Sequence, residues 1–188
     1  MSETNEKDKK TSLWAEIWDF LKTLLISMTI VFLCTQFLAR PIRVQGSSMY
    51  PTLESNALGI SNVLSVRLGD IRRFDIAIIY LGEKNEYLVK RVIGMPGETL
   101  EYKDGVLKIN GEVMEEPFLN KEYKDSFGTG FMSDVEPVTL GEKEYYCLGD
   151  NRPGSRDSRY YGPFEKEQIL AKGAFILLPL SQFGVKSW

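Results

Sequence analysis

The sequence predicts a mainly β domain that follows one N-terminal transmembrane helix. Residues 23–39 form an uncharged apolar run, whereas the chain after Arg40 alternates short apolar runs with Gly, Pro, Asn and Asp at close spacing. Long uncharged runs are typical of membrane helices, and frequent turn residues between short apolar runs are typical of strands. The 188 residues are enough for one globular domain with a smaller lobe and a short terminal extension.

The membrane helix is predicted at residues 23–39, directly between Lys22 and Arg40. At about 1.5 Å per residue this run extends roughly 25 Å, just under the thickness of the hydrocarbon core, so the basic flanks form part of the argument. Residues 1–22 are predicted to be a cytoplasmic and interfacial segment, because one helical face collects apolar residues. Those residues are Leu13, Trp14, Ile17, Trp18 and Leu21. A cleavable signal peptide is the alternative, although the polar start is long for one and no small-x-small exit precedes Arg40.

The charges beside the span predict its orientation. More basic residues precede it than follow it: Lys7, Lys9, Lys10 and Lys22 against Arg40 and Arg43. Basic residues are enriched on the cytoplasmic side of membrane spans. We therefore expect the N-terminus inside the cell and residues 40–188 on the outer face of the membrane.

Composition excludes several classes of function. The formal net charge is -3, without the basic excess that a binder of nucleic-acid phosphates requires. The two cysteines are far apart, Cys34 inside the apolar run and Cys147 in the soluble part, so no disulfide is expected. Because the chain has no histidine, it has no zinc-ligand pattern, and neither a metal nor an organic cofactor is predicted.

Short apolar runs after Arg40 predict the strands of the β domain. They lie at residues 42–44, 62–67, 76–80, 87–93, 99–103, 106–109, 144–148 and 174–178. Asp104-Gly105 between two of them indicates a hairpin, and Asn110-Gly111 marks a further turn. Residues 117–141 are rich in charge, glycine and aromatic residues, and are predicted to be a surface lobe or flexible insertion rather than core.

A serine just beyond the predicted span is the first candidate for chemistry. Ser48 lies in the segment Gly46-Ser47-Ser48-Met49-Tyr50-Pro51-Thr52-Leu53. In isolation this segment is typical of a turn, since Ser and Gly favour turns and Pro51 stiffens one. A nucleophilic serine needs a base, and the absence of histidine excludes a Ser-His-Asp triad. A lysine shielded from water is the substitute, because burial lowers the pKa of an ammonium group.

Lys90 is the candidate base. The alternation of a strand puts Lys90 on the same face as Leu88 and Val92, while Arg91 points to the opposite face. Most strand lysines lie on a solvated face. A lysine among aliphatic neighbours carries a desolvation cost that its neutral form avoids, and a neutral amine is what a general base requires.

A polar loop at residues 149–159 is the third candidate element. For Asp150, Asp157 and the loop arginines a structural interpretation is favoured, in which the charges pair with one another. Ser155 is different, because its hydroxyl can hold a neutral lysine amine in line with Ser48.

These elements, in this order, resemble the type I signal peptidases, which are membrane-anchored serine proteases with a Ser/Lys dyad. Five sequence boxes carry the resemblance, and with the anchor they cover nearly the whole chain. They are the serine box at 46–53, the Arg73-Phe74-Asp75-Ile76 box, the lysine box at 90–97, the loop at 149–159 and the stretch Leu178-Pro179-Leu180. One box alone is weak, whereas five in order are specific.

The resemblance implies a fold and a set of roles. The fold is an antiparallel β-sheet catalytic domain of the signal-peptidase type at residues 40–188, with a small second lobe at about 99–145. Carried over residue by residue, the implied roles are nucleophile for Ser48, general base for Lys90, orientation of the lysine amine for Ser155, support of the site for Asp157 and Arg159, and part of the substrate-side wall for Met49.

Gly46 departs from part of the family, in which a serine hydroxyl at this position helps to stabilise the oxyanion. The oxyanion hole would then rest mainly on the backbone N–H of Ser48, with a second donor unidentified, and a missing donor can cost orders of magnitude in rate. Other family members also carry glycine here. Gly46 and the short interval between the lysine box and Gly149 resemble the compact form found in Gram-positive bacteria.

The resemblance predicts an enzyme that removes N-terminal signal peptides from exported preproteins at the bacterial plasma membrane. Preproteins and the lipid bilayer are the predicted partners, and cleavage is expected after small residues in an Ala-X-Ala pattern. Ser48 lies about nine residues beyond the span, and at about 3.3 Å per residue this is within roughly 30 Å of the membrane exit. Two alternatives are another Ser/Lys peptidase of the self-cleaving repressor type, and a non-catalytic membrane-tethered β-domain that binds exported proteins. An anchor argues against the first, and the presence of both Ser48 and Lys90 argues against the second.

Overall fold

The N-terminal part of the chain is one long helix. The structure is a computed structural model that describes residues 3–69 and 71–186, with side chains described from residue 13 onward. Helix α1 spans Glu3–Leu33 and continues as a π-helical stretch over Cys34–Leu38. By length and composition, Leu13–Leu38 is long and apolar enough to cross a membrane, with a mean hydropathy of 1.8.

This helix differs from the predicted boundaries at both ends. The apolar part begins at Leu13 instead of residue 23, because the apolar residues of the expected interfacial segment continue the same helix without a break. At the other end Ala39 is already the first residue of a strand. The predicted orientation rests partly on Lys7, Lys9 and Lys10, whose side chains lie outside the described residues. Residues 1, 2, 70, 187 and 188 of the predicted segments also lie outside them.

The second part, Ala39–Trp188, forms one compact unit built on two sheets. The larger sheet contains β1 Ala39–Arg43, β2 Leu58–Asn62, β3 Ile76–Leu81, β4 Glu86–Gly94, β9 Glu144–Leu148, β10 Phe164–Glu165, β11 Ile169–Leu178 and β12 Gly184–Lys186. The smaller sheet contains β5 Thr99–Lys103, β6 Val106–Ile109, β7 Glu112–Val113 and β8 Val135–Thr139. The short helices are α2 Leu64–Leu68, α3 Lys121–Asp125 and α4 Ser158–Tyr161.

Both sheets are antiparallel. The larger one has the order β1-β2-β11-β3-β4-β9-β10, with β12 added beside β11, and the smaller one has the order β7-β6-β5-β8. The smaller sheet is inserted in sequence between β4 and β9, which are neighbours in the larger sheet. The predicted fold class, an antiparallel β domain with a small second lobe, is confirmed.

Two sequence predictions in this unit are wrong. Residues 62–67 do not continue as a strand, because the Asn62 side chain accepts a hydrogen bond from the backbone N–H of Ser65 at 2.9 Å and turns the chain into α2. Residues 117–141 are not merely a surface insertion. Phe131, Met132 and Leu140 are buried in the core of the smaller lobe, since the aromatic and apolar residues of this segment complete a core that β5 and β6 begin.

Strand β4 lies between two apolar cores. Val92 faces a core that includes Cys147 of the neighbouring strand β9, whereas Ile93 faces the core of the smaller lobe. Successive residues of a strand point to opposite faces, so Lys90 shares its face with Val92 and Arg91 shares its face with Ile93. Both charged side chains are buried, at 3% and 2% exposure. The insertion of the smaller lobe explains why the face of Arg91 is also shielded from water.

Close packing between β2 and β11 leads to a prediction about Gly59. A Cβ atom at Gly59 would lie 2.5 Å from the backbone carbonyl oxygen of Phe175, so alanine would force the two strands apart. We expect Gly59→Ala to lower the free energy of unfolding by about 1–3 kcal/mol, measured by urea unfolding of the detergent-solubilised chain. Gly82→Ala is the matched control, because its nearest atom would lie at an ordinary 3.9 Å. Equal stability of the two variants would contradict the prediction.

Candidate active site

Ser48 lies in a turn that two buried side chains, Met49 and Leu53, attach to the protein core. The backbone N–H of Tyr50 donates to the Ser47 carbonyl at 3.1 Å, and that of Leu53 donates to the Met49 carbonyl at 2.9 Å. Met49 and Leu53 are fully buried. Gly46 has a φ of +82°, in the left-handed region that favours glycine, and leads the chain into the turn. We call residues 46–53 the nucleophile turn.

Lys90 reaches this turn from β4. Its Nζ lies 2.8 Å from Ser48 Oγ and 3.1 Å from the Val89 carbonyl oxygen. The two residues are 42 positions apart in sequence, so their contact depends on the fold and not on local chain geometry. The structure therefore brings together the serine and the lysine that the sequence analysis selected independently.

Burial lowers the pKa of Lys90 into the range in which its amine can act as a base. Desolvation lowers the pKa of Lys90 from 10.5 to about 8, while the nearby Asp157 carboxylate opposes part of that change. An amine with a pKa near 8 is partly neutral at physiological pH. In the ammonium form Nζ donates to Ser48 Oγ, and loss of one proton leaves a lone pair that can accept the serine proton along the same line.

Asp157 and Arg159 form a buried ion pair beside the lysine. The Asp157 carboxylate accepts hydrogen bonds from Arg159 Nε and Nη2, both at 2.8 Å, and from the backbone N–H of Gly149 at 3.0 Å. Burial alone would raise the pKa of Asp157, but Arg159 and the Gly149 N–H hold it below its usual value. Asp157 is therefore an anion that the loop itself neutralises. Support of the site by this pair stays a prediction.

The Ser155 hydroxyl is buried at the site. Its Oγ has no partner at regular hydrogen-bond geometry among the residues that the structure describes, but it lies near enough to the Asp157 carboxylate to help lower the pKa of that group. A Cβ atom at Gly149 would come within 2.2 Å of Ser155 Oγ and 2.3 Å of the Ser48 carbonyl oxygen. Glycine at position 149 thus allows the Ser155 hydroxyl and the nucleophile turn to approach the same point. Orientation of the Lys90 amine by Ser155 stays a prediction, since the amine bonds Ser48 and Val89 here.

Met49 occupies a different position from the one expected. It has 0% exposure and packs in a core with Leu53 and Ile76, instead of lining a groove wall. The turn directs the Met49 side chain into this core, while Ser48 lines the groove. A contact between Met49 and substrate stays a prediction.

A second buried ion pair, between Arg91 and Asp150, connects the nucleophile turn to β4. The sequence did not reveal that Thr52 of the turn also bonds this pair. Arg91 donates to both oxygens of Asp150, through Nε at 2.8 Å and Nη2 at 2.7 Å. Thr52 Oγ1 donates to the same carboxylate at 2.6 Å. A structural ion pair was the expected role for Asp150, but no role was expected for Thr52. Its partner is 98 residues away, and no local pattern reveals such a contact.

The backbone N–H of Ser48 is the predicted oxyanion donor. Among the hydrogen bonds of the described residues, this N–H donates to no acceptor. Gly46 contributes no hydroxyl, as the sequence indicates. The role of the Ser48 N–H as an oxyanion donor stays a prediction, and a second donor is unassigned.

An open groove of about 890 Å³ leads to Ser48 and Lys90. Its lining includes Ile42 from β1, Ile78 from β3, and Leu88 and Val89 from β4. Its size and its mixed apolar and polar lining suit an extended peptide. No group of three or more His, Cys, Asp or Glu side chains in the described part of the chain is arranged to hold a metal ion.

A known protein family matches most of the chain in sequence. Residues 17–178 match the family described as "Signal peptidase, peptidase S26", which is most of the chain. The chain belongs to the signal peptidase family S26. It is therefore a peptidase, and the resemblance drawn from the five sequence boxes is confirmed.

Related members of the signal peptidase family cover almost the full length. Signal peptidase I of Bacillus licheniformis is 35% identical over 97% of this chain and 97% of its own length. Signal peptidase I T of Bacillus subtilis is 36% identical over 93% of this chain and 90% of its own, and signal peptidase IB of Staphylococcus aureus is 32% identical over 89% and 93%. The crystal structure of a signal peptidase I from Enterococcus faecalis is similar with a TM-score of 0.50 and 34% identity, over 55% of this chain and 96% of that one.

The buried amine leads to a prediction about stability and pH. Because the pKa of Lys90 falls from 10.5 to about 8 on folding, the unfolded chain binds more protons than the folded chain between these values. Lys90 therefore destabilises the fold most below about pH 8, and this effect disappears as the pH rises to about 10.5. We expect Lys90→Met to stabilise the protein at pH 6 by on the order of 3 kcal/mol, since one pKa unit corresponds to about 1.4 kcal/mol, and to bring little gain above pH 10.5.

Urea unfolding at a series of pH values measures this difference. The exposed Lys103 provides the matched control, and Lys103→Met should show no such gain at pH 6. A stabilisation by Lys90→Met that is the same at pH 6 and pH 11 would contradict desolvation of the ammonium group as its cause.

Proposed function

We propose that this chain is a membrane-anchored serine endopeptidase that removes N-terminal signal peptides from exported preproteins by means of a Ser48/Lys90 dyad. The observation that carries the proposal is the 2.8 Å contact between Ser48 Oγ and the amine of a buried lysine. Membership of the signal peptidase family supports the reaction class, and relatives named signal peptidase I cover nearly all of the chain.

In the first half of the reaction, neutral Lys90 accepts the Ser48 hydroxyl proton as Oγ attacks the scissile carbonyl carbon. The resulting oxyanion receives a hydrogen bond from the free N–H of Ser48. Lys90, now an ammonium, donates its proton to the departing nitrogen, so that the mature protein leaves as an amine and the signal peptide stays on Oγ as an ester.

In the second half, Lys90 again acts as a base. It takes a proton from a water molecule, the hydroxide oxygen attacks the ester carbon, and the bond to Oγ breaks. The proton returns from Lys90 to Ser48 Oγ, which restores the free enzyme. Asp157 and Arg159 contribute by setting the charge near the amine, because the carboxylate raises the pKa of Lys90 and the guanidinium lowers it.

The groove is the proposed binding site for the cleavage region of the preprotein. Apolar side chains of Ile42, Leu88 and Val89 line it close to the dyad, which suits small uncharged substrate residues. We propose small residues, typically alanine, one and three positions before the scissile bond. A contact from Met49 would require this buried side chain to move toward the groove.

The apolar helix is the proposed anchor in the bacterial plasma membrane. Leu13–Leu38 is long enough to cross a bilayer, and its exposed apolar side chains match a lipid environment. We propose a single pass with the N-terminus in the cytoplasm and residues 40–188 on the outer face. Arg40 follows the helix closely, and Ser48 follows it by ten residues, so the chain itself tethers the dyad near the point where preproteins leave the membrane.

Single substitutions test the dyad. We expect Ser48→Ala and Lys90→Met each to reduce the rate of preprotein cleavage by at least about a thousandfold, because removal of a nucleophile or its base leaves only residual catalysis. Ser47→Ala and Lys103→Met are the matched controls and should retain rates within about tenfold of wild type. Cleavage by purified protein of a secretory preprotein is measured by gel. Wild-type rates for Ser48→Ala or Lys90→Met would exclude the dyad.

The pH dependence of cleavage tests Lys90 as the base. A base must be neutral to accept a proton, so activity should be low below the pKa of Lys90 and should rise through about pH 8 to a plateau. Well below that value the rate should fall about tenfold for each pH unit. The rate constant under single-turnover conditions measures this profile, with thermal unfolding at each pH as the control for stability. A flat profile from pH 6 to pH 10 would contradict a lysine base.

A further inference from the structure

We propose that Tyr123, in helix α3 of the smaller lobe, is a positioning residue that fixes the oxyanion-binding N–H of Ser48 by acting through Asn151. This inference rests on the proposed function of Ser48 as nucleophile. It also assigns a function to the segment 117–141, for which the sequence predicted none.

Asn151 connects the two parts with three hydrogen bonds. Its Oδ1 accepts from the Tyr123 hydroxyl at 3.0 Å. Its Nδ2 donates to the Ser47 carbonyl at 3.0 Å, and its backbone N–H donates to the Ser48 carbonyl at 3.0 Å. One residue thus contacts the smaller lobe on one side and both carbonyl groups around the nucleophile on the other.

These two carbonyl groups define the backbone at Ser48. The Ser47 carbonyl and the Ser48 N–H belong to one planar trans peptide group, so a bond that fixes the carbonyl also fixes the direction of the N–H. The Ser48 carbonyl belongs to the next peptide group. Because Asn151 holds both planes, it holds φ and ψ of Ser48, and with them the direction of the N–H that receives the oxyanion.

The amide of Asn151 can adopt only one orientation here. The Ser47 carbonyl can only accept, and the backbone N–H of Gly154, which donates to Oδ1 at 3.3 Å, can only donate. Nδ2 must therefore face Ser47, and Oδ1 must face Gly154 and Tyr123. The bond to Gly154 is long, so the hydroxyl of Tyr123 is the shorter of the two contacts that hold Oδ1 in place.

The smaller lobe in turn holds Tyr123. Its backbone N–H bonds the side chain of Asn120, the N-cap of α3, at 2.8 Å. Its ring packs edge-on against Phe127, and against Phe131 in the core of the lobe. The same ring contacts Tyr50, two residues after Ser48, with centroids 5.1 Å apart. Desolvation raises the pKa of Tyr123, so its hydroxyl keeps the proton that it donates.

The test is Tyr123→Phe, which removes only the hydroxyl and keeps the ring contacts. We expect kcat for preprotein cleavage to fall about five- to tenfold with KM unchanged, because loss of one hydrogen bond loosens a donor that acts in the transition state. Tyr80→Phe is the matched control. It removes the same kind of bond, from a tyrosine hydroxyl to Asn85 Oδ1 at 3.1 Å, without touching the nucleophile turn, and should leave kcat unchanged.

A double-mutant cycle separates positioning through Asn151 from a general effect on the lobe. Asn151→Ala should lower kcat at least about tenfold. Tyr123→Phe should cause no further loss in that background, because the Tyr123 hydroxyl acts only through the Asn151 side chain that is already missing. Thermal unfolding of every variant is recorded. Losses that multiply in the double variant, a change in KM alone, or a kcat for Tyr123→Phe equal to that of Tyr80→Phe would overturn the inference. If Ser48→Ala still cleaves, the proposed function fails instead, and the inference fails with it.

Discussion

The contact between Lys90 and Ser48 depends on keeping one amine out of water. An exposed lysine would be almost entirely protonated at physiological pH and could not accept the serine proton. The fold meets this constraint by placing Lys90 on β4, a strand that lies between two apolar cores. The core that contains Val92 and Cys147 lies on the face of Lys90, and the core of the smaller lobe lies on the face of Arg91.

Charges around the amine are arranged so that burial remains the dominant effect. A free carboxylate beside Lys90 would raise the pKa of the amine and favour the ammonium form. Asp157 is such a carboxylate, but it accepts two hydrogen bonds from Arg159 and one from Gly149. Arg159 itself lowers the pKa of Lys90. The guanidinium thus opposes part of the rise that Asp157 causes, and burial of the amine remains the largest effect on its pKa.

Local sequence patterns were sufficient for the features that depend on periodicity. Alternation in β4 predicted the face of Lys90, and Asp104-Gly105 predicted the hairpin of β5 and β6. The failures at residues 62–67 and 117–141 have a different cause. Asn62 ends a strand through a side-chain bond that an apolar pattern does not show, and Phe131 becomes core only when β5 and β6 pack against it. The contacts of Thr52 and Asn151 join residues 98 and 104 positions apart, so no spacing rule reveals them.

The same long separations show why a catalytic geometry can arise only in the complete fold. The nucleophile turn is short and has few backbone bonds of its own. Distant segments hold it instead: Asp150 through Thr52, Asn151 through the Ser47 carbonyl, and Gln182, whose Nε2 donates to the Pro51 carbonyl at 3.5 Å across 131 residues. These partners all lie beyond β9 in sequence, so the turn is held only when that part of the chain has packed. Burial of Lys90 requires the same assembly, so a partly folded chain would have neither a neutral lysine nor an oriented serine. Proteolytic activity is thereby confined to the folded state.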